Sequence, residues 1–290
     1  MTELDDVGEL RSPMLIAAFE GWNDAGDAAT AAVEHLELAW RAEPIAAIDP
    51  DDYYDFQVNR PMVTLIDGET RRIQWPTTRF SLCRLDELQR DVVLVRGLEP
   101  NMRWRGFCDE IVGIAMELGV ETFVTLGALL ADSPHTRAVP VTGTASDAAT
   151  ATRLGLDRSR YEGPTGIVGV LHDHCVRAGM TSVSFWAAVP HYVAQPPSPK
   201  ATLALLHRLE NLLGAAVPLG GLAEDAEAWE QSVNKLAAED DEVAEYVRSL
   251  EQQAAEGDLT QWADRPEASG EAIAREFERF LRREDPPPTP

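Results

Sequence analysis

An α/β fold built on a mostly parallel sheet is what this sequence predicts, and three observations carry the prediction. Short apolar runs rich in β-branched and aromatic residues alternate with stretches of helical periodicity along most of the chain. Those runs are apolar on both faces, as strands covered by helices on two sides must be. One complete unit is visible in GPTGIVGVLHDHCVRAGMTSVSFWAAVPHYVAQPPSP, Gly163 to Pro199. There a Gly/Pro turn opens an amphipathic helix over Ile167 to Ala178, Gly179 supplies a left-handed cap, and Ser182 to Val189 forms a buried strand. A helix feeding such a strand is a crossover unit.

Met14 to Phe19 reads as the first buried strand and Asp27 to Trp40 as an Ala-rich helix. Ile45 to Ile48 is a second strand. Met62 to Ile66 and Arg72 to Trp75 flank Asp67-Gly68-Glu69-Thr70 and predict a hairpin. Val92 to Val95 is a central strand, Arg103 to Leu118 a helix ending at Gly119, and Thr122 to Leu126 the next strand. Ala201 to Leu213 closes the core. The expected division is a core domain over 1–213, a small-residue linker over 214–221, an acidic helical extension over 222–282, and a disordered tail over 283–290. From 222 to 285 there are 19 acidic and 7 basic residues, which is half of the net charge. Leu222, Ala226, Trp229, Val233 and Leu236, then Val243, Val247, Leu250 and Ala254, step by four and three and must be buried against something. Carboxylates at 239–242 suit the start of a second helix, so the segment is expected to be a helical hairpin, with a last helix near 268–281.

With 290 residues and 44% apolar content the chain can bury a full core. A net charge of −24 opposes nucleic acid and anionic membrane, so neither is expected as a partner. Cys83, Cys108 and Cys175 are odd in number and lack CxxC spacing, the start lacks a signal-peptide layout, and no apolar run spans a bilayer. A cytoplasmic location is expected.

The carboxyl ends of parallel strands form the ligand-binding edge of such sheets. That rim gathers Glu20, Trp22, Asn23, Asp24, Arg96, Arg103, His135, Arg137 and His191 as candidate binding residues. Exposed aromatics are expected at Tyr53, Tyr54 and Phe56. Glu20, Asp24, Glu99 and Asp132 are expected to balance the three arginines. The first loop, Glu20 to Asp27, carries three carboxylates and no G-x-G-x-x-G, which repels phosphate; Asp24 and Asp27 suit the dipole of the following helix better than a cation. Gly163, Thr165 and Gly166 form a weaker candidate, an anion site at a helix start. His172-Asp173-His174-Cys175 lacks a second ligand pair, and the cysteines read as small buried hydrophobes. With no nucleophile elbow present, no residues are assigned to catalysis or to a metal, and no cofactor is expected.

Four blocks, FEGWNDAGDAAT (19–30), RGLEPNMRW (96–104), LGALLADSPHTRAVPVTGTASD (126–147) and the 163–199 run, resemble the proteasome assembly chaperone 2 family in its actinobacterial form with a helical C-terminal extension. The resemblance covers roughly 13–213. It implies a three-layer α/β/α sandwich like that of purine nucleoside phosphorylases, a non-enzymatic role in holding a protein partner of the proteasome system, and a homo-oligomer, most simply a trimer. Its competitor is an enzyme acting on a small nucleoside-like or amide-containing metabolite at the rim, for which Glu20, His135 and Arg137 must converge in a deep pocket. The end Pro288-Thr289-Pro290 departs from the hydrophobic-Tyr-X ending of proteasome activators, so C-terminal docking is not expected.

Overall fold

The computed structural model describes residues 4–156 and 161–256. Its centre is a seven-stranded sheet in the order β2-β5-β6-β1-β7-β9-β8. These strands are β1 (Met14–Glu20), β2 (Glu43–Ala47), β5 (Arg79–Leu85), β6 (Arg90–Leu98), β7 (Thr122–Ala131), β8 (Val141–Ala145) and β9 (Thr181–Pro190). Strand β1 is parallel to β6 and β7, and β7 to β9, while β5 and β8 run against their neighbours. Five strands therefore share one direction.

Alternate residues of β1 separate the two halves of the core, as the pleat requires. Met14, Ile16 and Ala18 are buried with α1 (Ala28–Ala39) and α5 (Pro199–Leu213), through Ala29, Ala32, Val33, Leu36, Leu205 and Leu209. Leu15, Ala17 and Phe19 pack with α2 (Trp104–Glu117) and α4 (Ile167–Arg177), through Phe107, Ile111, Val168 and Leu171. Helices on both faces make three layers.

Strands β5 and β8 and the short helix α3 (Ala148–Leu154) go beyond the sequence expectation. Hairpin β3 (Met62–Ile66) and β4 (Thr70–Gln74) forms its own two-stranded sheet. The expected exposure of Tyr53 and Tyr54 is wrong: both are buried, because Tyr53 packs edge-on to Phe107 and Tyr54 donates its hydroxyl to the Leu98 carbonyl at 2.9 Å. Phe56 is half-buried against Trp75. The acidic segment is a helical hairpin, α6 (Leu222–Glu239) and α7 (Asp241–Glu256), with Asp240 accepting from the Glu242 and Val243 amides at the break. Ala226, Val233, Ala237, Val247 and Leu250 form the buried seam, and Leu236, expected within it, faces solvent. The expected helix at 268–281 and the tail lie outside the described residues. Cys83, Cys108 and Cys175 are buried free thiols, and burial pushes each up to about 12.

Candidate functional site

All the candidate loops leave the sheet at one edge, but they form three separate groups. The first lies between β1 and α1. Gly26, at φ +60°, lets the loop turn against Ser198, whose amide donates to the Gly26 carbonyl at 2.9 Å. That turn points Asp24 back at α1, where its carboxylate accepts the Ala29 amide at 2.6 Å, the Thr30 amide at 3.2 Å and the Thr30 hydroxyl. Burial raises the Asp24 carboxyl to about 6 despite these bonds. Its role is the helix-dipole role expected from the sequence. Neighbouring Asn23 is fully buried; its Nδ2 donates to Glu99 Oε1 at 2.6 Å, and the same oxygen accepts the Ile167 amide at 2.8 Å.

The Glu99 carboxylate thus sits on the start of α4. At the anion-site candidate Gly163, Thr165 and Gly166, the Ile167 amide is therefore already taken by an internal carboxylate. Gly166 is there for space: a Cβ would strike the Asn23 side chain. Beside this group Glu20 is half-buried, and burial raises its carboxyl while nearby Arg96 opposes the shift. Trp22 is 58% exposed.

The arginines form the second group, with partners other than those expected. Arg96 donates through Nε to Glu37 at 3.1 Å, with Nη2 3.0 Å from Glu37 and 3.6 Å from Glu34, both on α1. Arg103 pairs with Asp52 and lies 5.8 Å from the centre of the Tyr53 ring. Arg137 is exposed and has no ion pair among the described residues.

The third group sits under α6 and α7. His135, 2% exposed, is held by Tyr192: the Tyr192 hydroxyl accepts the His135 amide at 2.8 Å and lies 2.7 Å from Nδ1. Nε2 is 3.1 Å from Asn234 Oδ1 on α6, an acceptor, so Nε2 carries the proton and Nδ1 accepts from Tyr192. Burial, the largest influence, lowers the His135 pKa. Lys200 donates to the His135 carbonyl at 2.5 Å and pairs with Glu230 on α6, and Thr136 donates to Glu251 on α7. His191 is 3.1 Å from Asp132 and packs edge-on to Tyr192 and Tyr246. Sequence reasoning missed Asn234, Lys200, Glu230, Tyr246 and Glu251, because nothing local marks them.

Glu20 and His135 do not converge. The charged neighbours of Glu20 are Arg96, Asp27, Glu34 and Arg79, whereas those of His135 are Glu230, Lys200 and Glu251. An open groove of about 740 Å³ lies between the end of β2 and the β3–β4 hairpin, lined by Asp49, Pro50, Arg72, Trp75 and Arg79 among others, and Arg79 is also a charged neighbour of Glu20. Asp24 and His135 act in the rim as hydrogen-bonded braces, and Trp22 and Arg137 are exposed.

A family model described as the PAC2 family matches residues 18–237. A PAC2 family protein from Streptomyces avermitilis is 60% identical and superimposes with a TM-score of 0.77 over 81% of this chain and 99% of that one. A proteasome-assembly chaperone homologue of Mycobacterium tuberculosis is 58% identical, with a TM-score of 0.75 and the same coverages. A second M. tuberculosis protein, described as of unknown function, is 28% identical at a TM-score of 0.78, over 88% of this chain and 91% of its own. No curated protein matches. The α/β/α layers, a family match running from β1 into α6 and two relatives of such identity agree: this chain belongs to the PAC2 family.

Proposed function

We propose that the chain is a non-enzymatic, assembly-chaperone-like protein that binds a protein partner of the proteasome system in the cytoplasm and works as a homo-oligomer, most simply a trimer. The M. tuberculosis relative described as a proteasome-assembly chaperone homologue, at 58% identity, supports the partner class. One observation carries the choice against enzymatic chemistry. Asp24 and His135 are held in internal bonds, Asn23 donates to Glu99 while its buried Oδ1 has no partner among the described residues, and Trp22, Met102 and Arg137 are among the residues exposed along that edge. Exposed Trp and Arg are the residue types that anchor protein interfaces.

The test is binding of the purified full chain to separately purified proteasome α-type and β-type subunits, followed by sedimentation and cross-linking. Wild type is expected to bind one class of subunit, and Trp22→Ala with Arg137→Ala together to weaken that binding by at least about tenfold. Absence of binding to every subunit, or a metabolite consistently retained by the native protein and turned over by it, defeats the proposal.

A further inference from the structure

The β3–β4 hairpin pairs only with itself among the described residues, and five strand partners, Met62↔Gln74 to Ile66↔Thr70, are all that define it. A two-stranded sheet of this size is marginal when isolated in water. Yet this one exposes Met62, Val63, Leu65, Ile66, Ile73 and Trp75, each between 39% and 65%. Singly exposed apolar residues are ordinary, but six on one short hairpin and its exit leave both of its faces partly apolar, which water disfavours. By register Val63 stands opposite Ile73 and Leu65 opposite Arg71, so those four share a face.

We propose that this hairpin is the arm by which one copy of the chain holds another, docking on an acidic surface of the second copy. Charge selects the occupant. Residues 57–79 carry Arg60, Arg71, Arg72 and Arg79 against Asp67 and Glu69, a locally positive segment in a chain of net charge −24. A complementary surface must be acidic with some apolar area, and the chain supplies one. Residues 222–256 hold eleven acidic and two basic residues, and Leu236 on α6 is 61% exposed. Two hairpins meeting each other would bring two positive segments together, so the contact pairs unlike surfaces. Contacts between unlike surfaces are met either by two copies exchanging arms about a two-fold axis or by head-to-tail repetition that closes into a ring. This arm rests on the homo-oligomer part of the proposed function and is independent of its partner-binding part, which concerns the rim.

Sedimentation velocity on the full chain at about 1 to 100 μM tests it, with wild type beside Val63→Glu/Leu65→Glu and Arg71→Glu/Arg72→Glu, both double substitutions at exposed positions. Wild type is expected at a multiple of 31.8 kDa, and both variants as monomers with unchanged circular dichroism and Tm. Added salt is expected to weaken wild-type association by about tenfold or more between low and physiological ionic strength. A monomeric wild type overturns the proposal, as does an apolar-face variant that keeps the wild-type mass. If the Arg71/Arg72 variant alone keeps it, the acidic docking surface is wrong. Proteasome-subunit binding by the monomeric variants is read separately, so failure of the arm and failure of the proposed function are distinguishable.

Discussion

Replacing His135 by alanine tests how the acidic helices are held on the sheet. The imidazole is buried, takes a hydrogen bond from Tyr192 and gives one to Asn234 on α6. Its removal loses the Asn234 bond, frees the Tyr192 hydroxyl proton and leaves a cavity that the neighbouring aromatic rings fill only in part. Buried ring-to-alanine changes cost about 3 to 5 kcal/mol, and this ring is smaller and edged by polar groups, so about 2 to 4 kcal/mol is expected. A urea titration followed by tryptophan fluorescence reads the total, and hydrogen exchange along Leu222–Glu239 shows whether α6 opens first. The same group sets a pH dependence. Burial lowers its folded pKa below the free value of about 6.5, so its contribution is whole above that pH and is lost as pH falls below it. Asp24, raised to about 6, acts in the opposite sense, since stability from that group falls as pH rises from its ordinary 3.8 through about 6. The difference between wild type and His135→Ala isolates the histidine. A loss under about 0.5 kcal/mol, with unchanged exchange in α6, refutes a role for His135 in holding α6 on the sheet.

Arg137→Ala is expected to leave stability within about 0.5 kcal/mol while weakening partner binding by about tenfold; a loss of several kcal/mol in a denaturant titration makes Arg137 a brace instead. Deleting 222–290 is expected to leave an α/β core that still unfolds cooperatively at a lower Tm, and limited proteolysis of the full chain to cut within the exposed Gly220-Gly221 stretch. A truncated chain without native circular dichroism shows that α6 and α7 belong to the core. Gly97→Ala is expected to cost about 1 to 3 kcal/mol, because the new methyl lies 2.7 Å from Thr78 Cα and 2.9 Å from the Thr77 carbonyl, which are backbone atoms that cannot swing away. An unchanged Tm means that the segment before β5 gives way more easily than the sheet implies.

The strands legible in the sequence are the apolar runs of β1, β6, β7 and β9, the shorter β2 and the β3–β4 hairpin, together with the helices that cover the sheet. Strand β5 escaped because RFSLCRL mixes charge, hydroxyl and thiol, although four of its seven residues are buried and Ser81 donates to Glu37 of α1 at 3.0 Å. Strand β8, VTGTA, is half-buried throughout and pairs antiparallel to β9, with Gly143 so close to the Ser184 carbonyl that a Cβ would lie 2.6 Å from it. Propensity does not announce a strand whose glycine is required by close approach. The rim was legible as a place, since β1, β6, β7 and β9 end together. Its bonding was not, because His135 meets Asn234 across 99 residues and Thr136 meets Glu251 across 115.

That distance changes what the acidic segment is for. Read as sequence, 222–256 is a charged surface available to a partner; in the fold, the same helices cover His135 and Tyr192. The two roles use different residues. Glu230 and Glu251 turn inward to Lys200 and Thr136, and Asp240 is spent on the break between the helices. Glu224, Asp225, Glu227, Glu239, Asp241, Glu242 and Glu245 remain exposed. Exposed carboxylates in such number add little to the stability of α6 and α7 and repel one another, so a charge pattern kept only for folding gains nothing from them. They do set a long-range field that attracts a positively charged surface, which is what the proposed docking of a second copy's hairpin on this face requires.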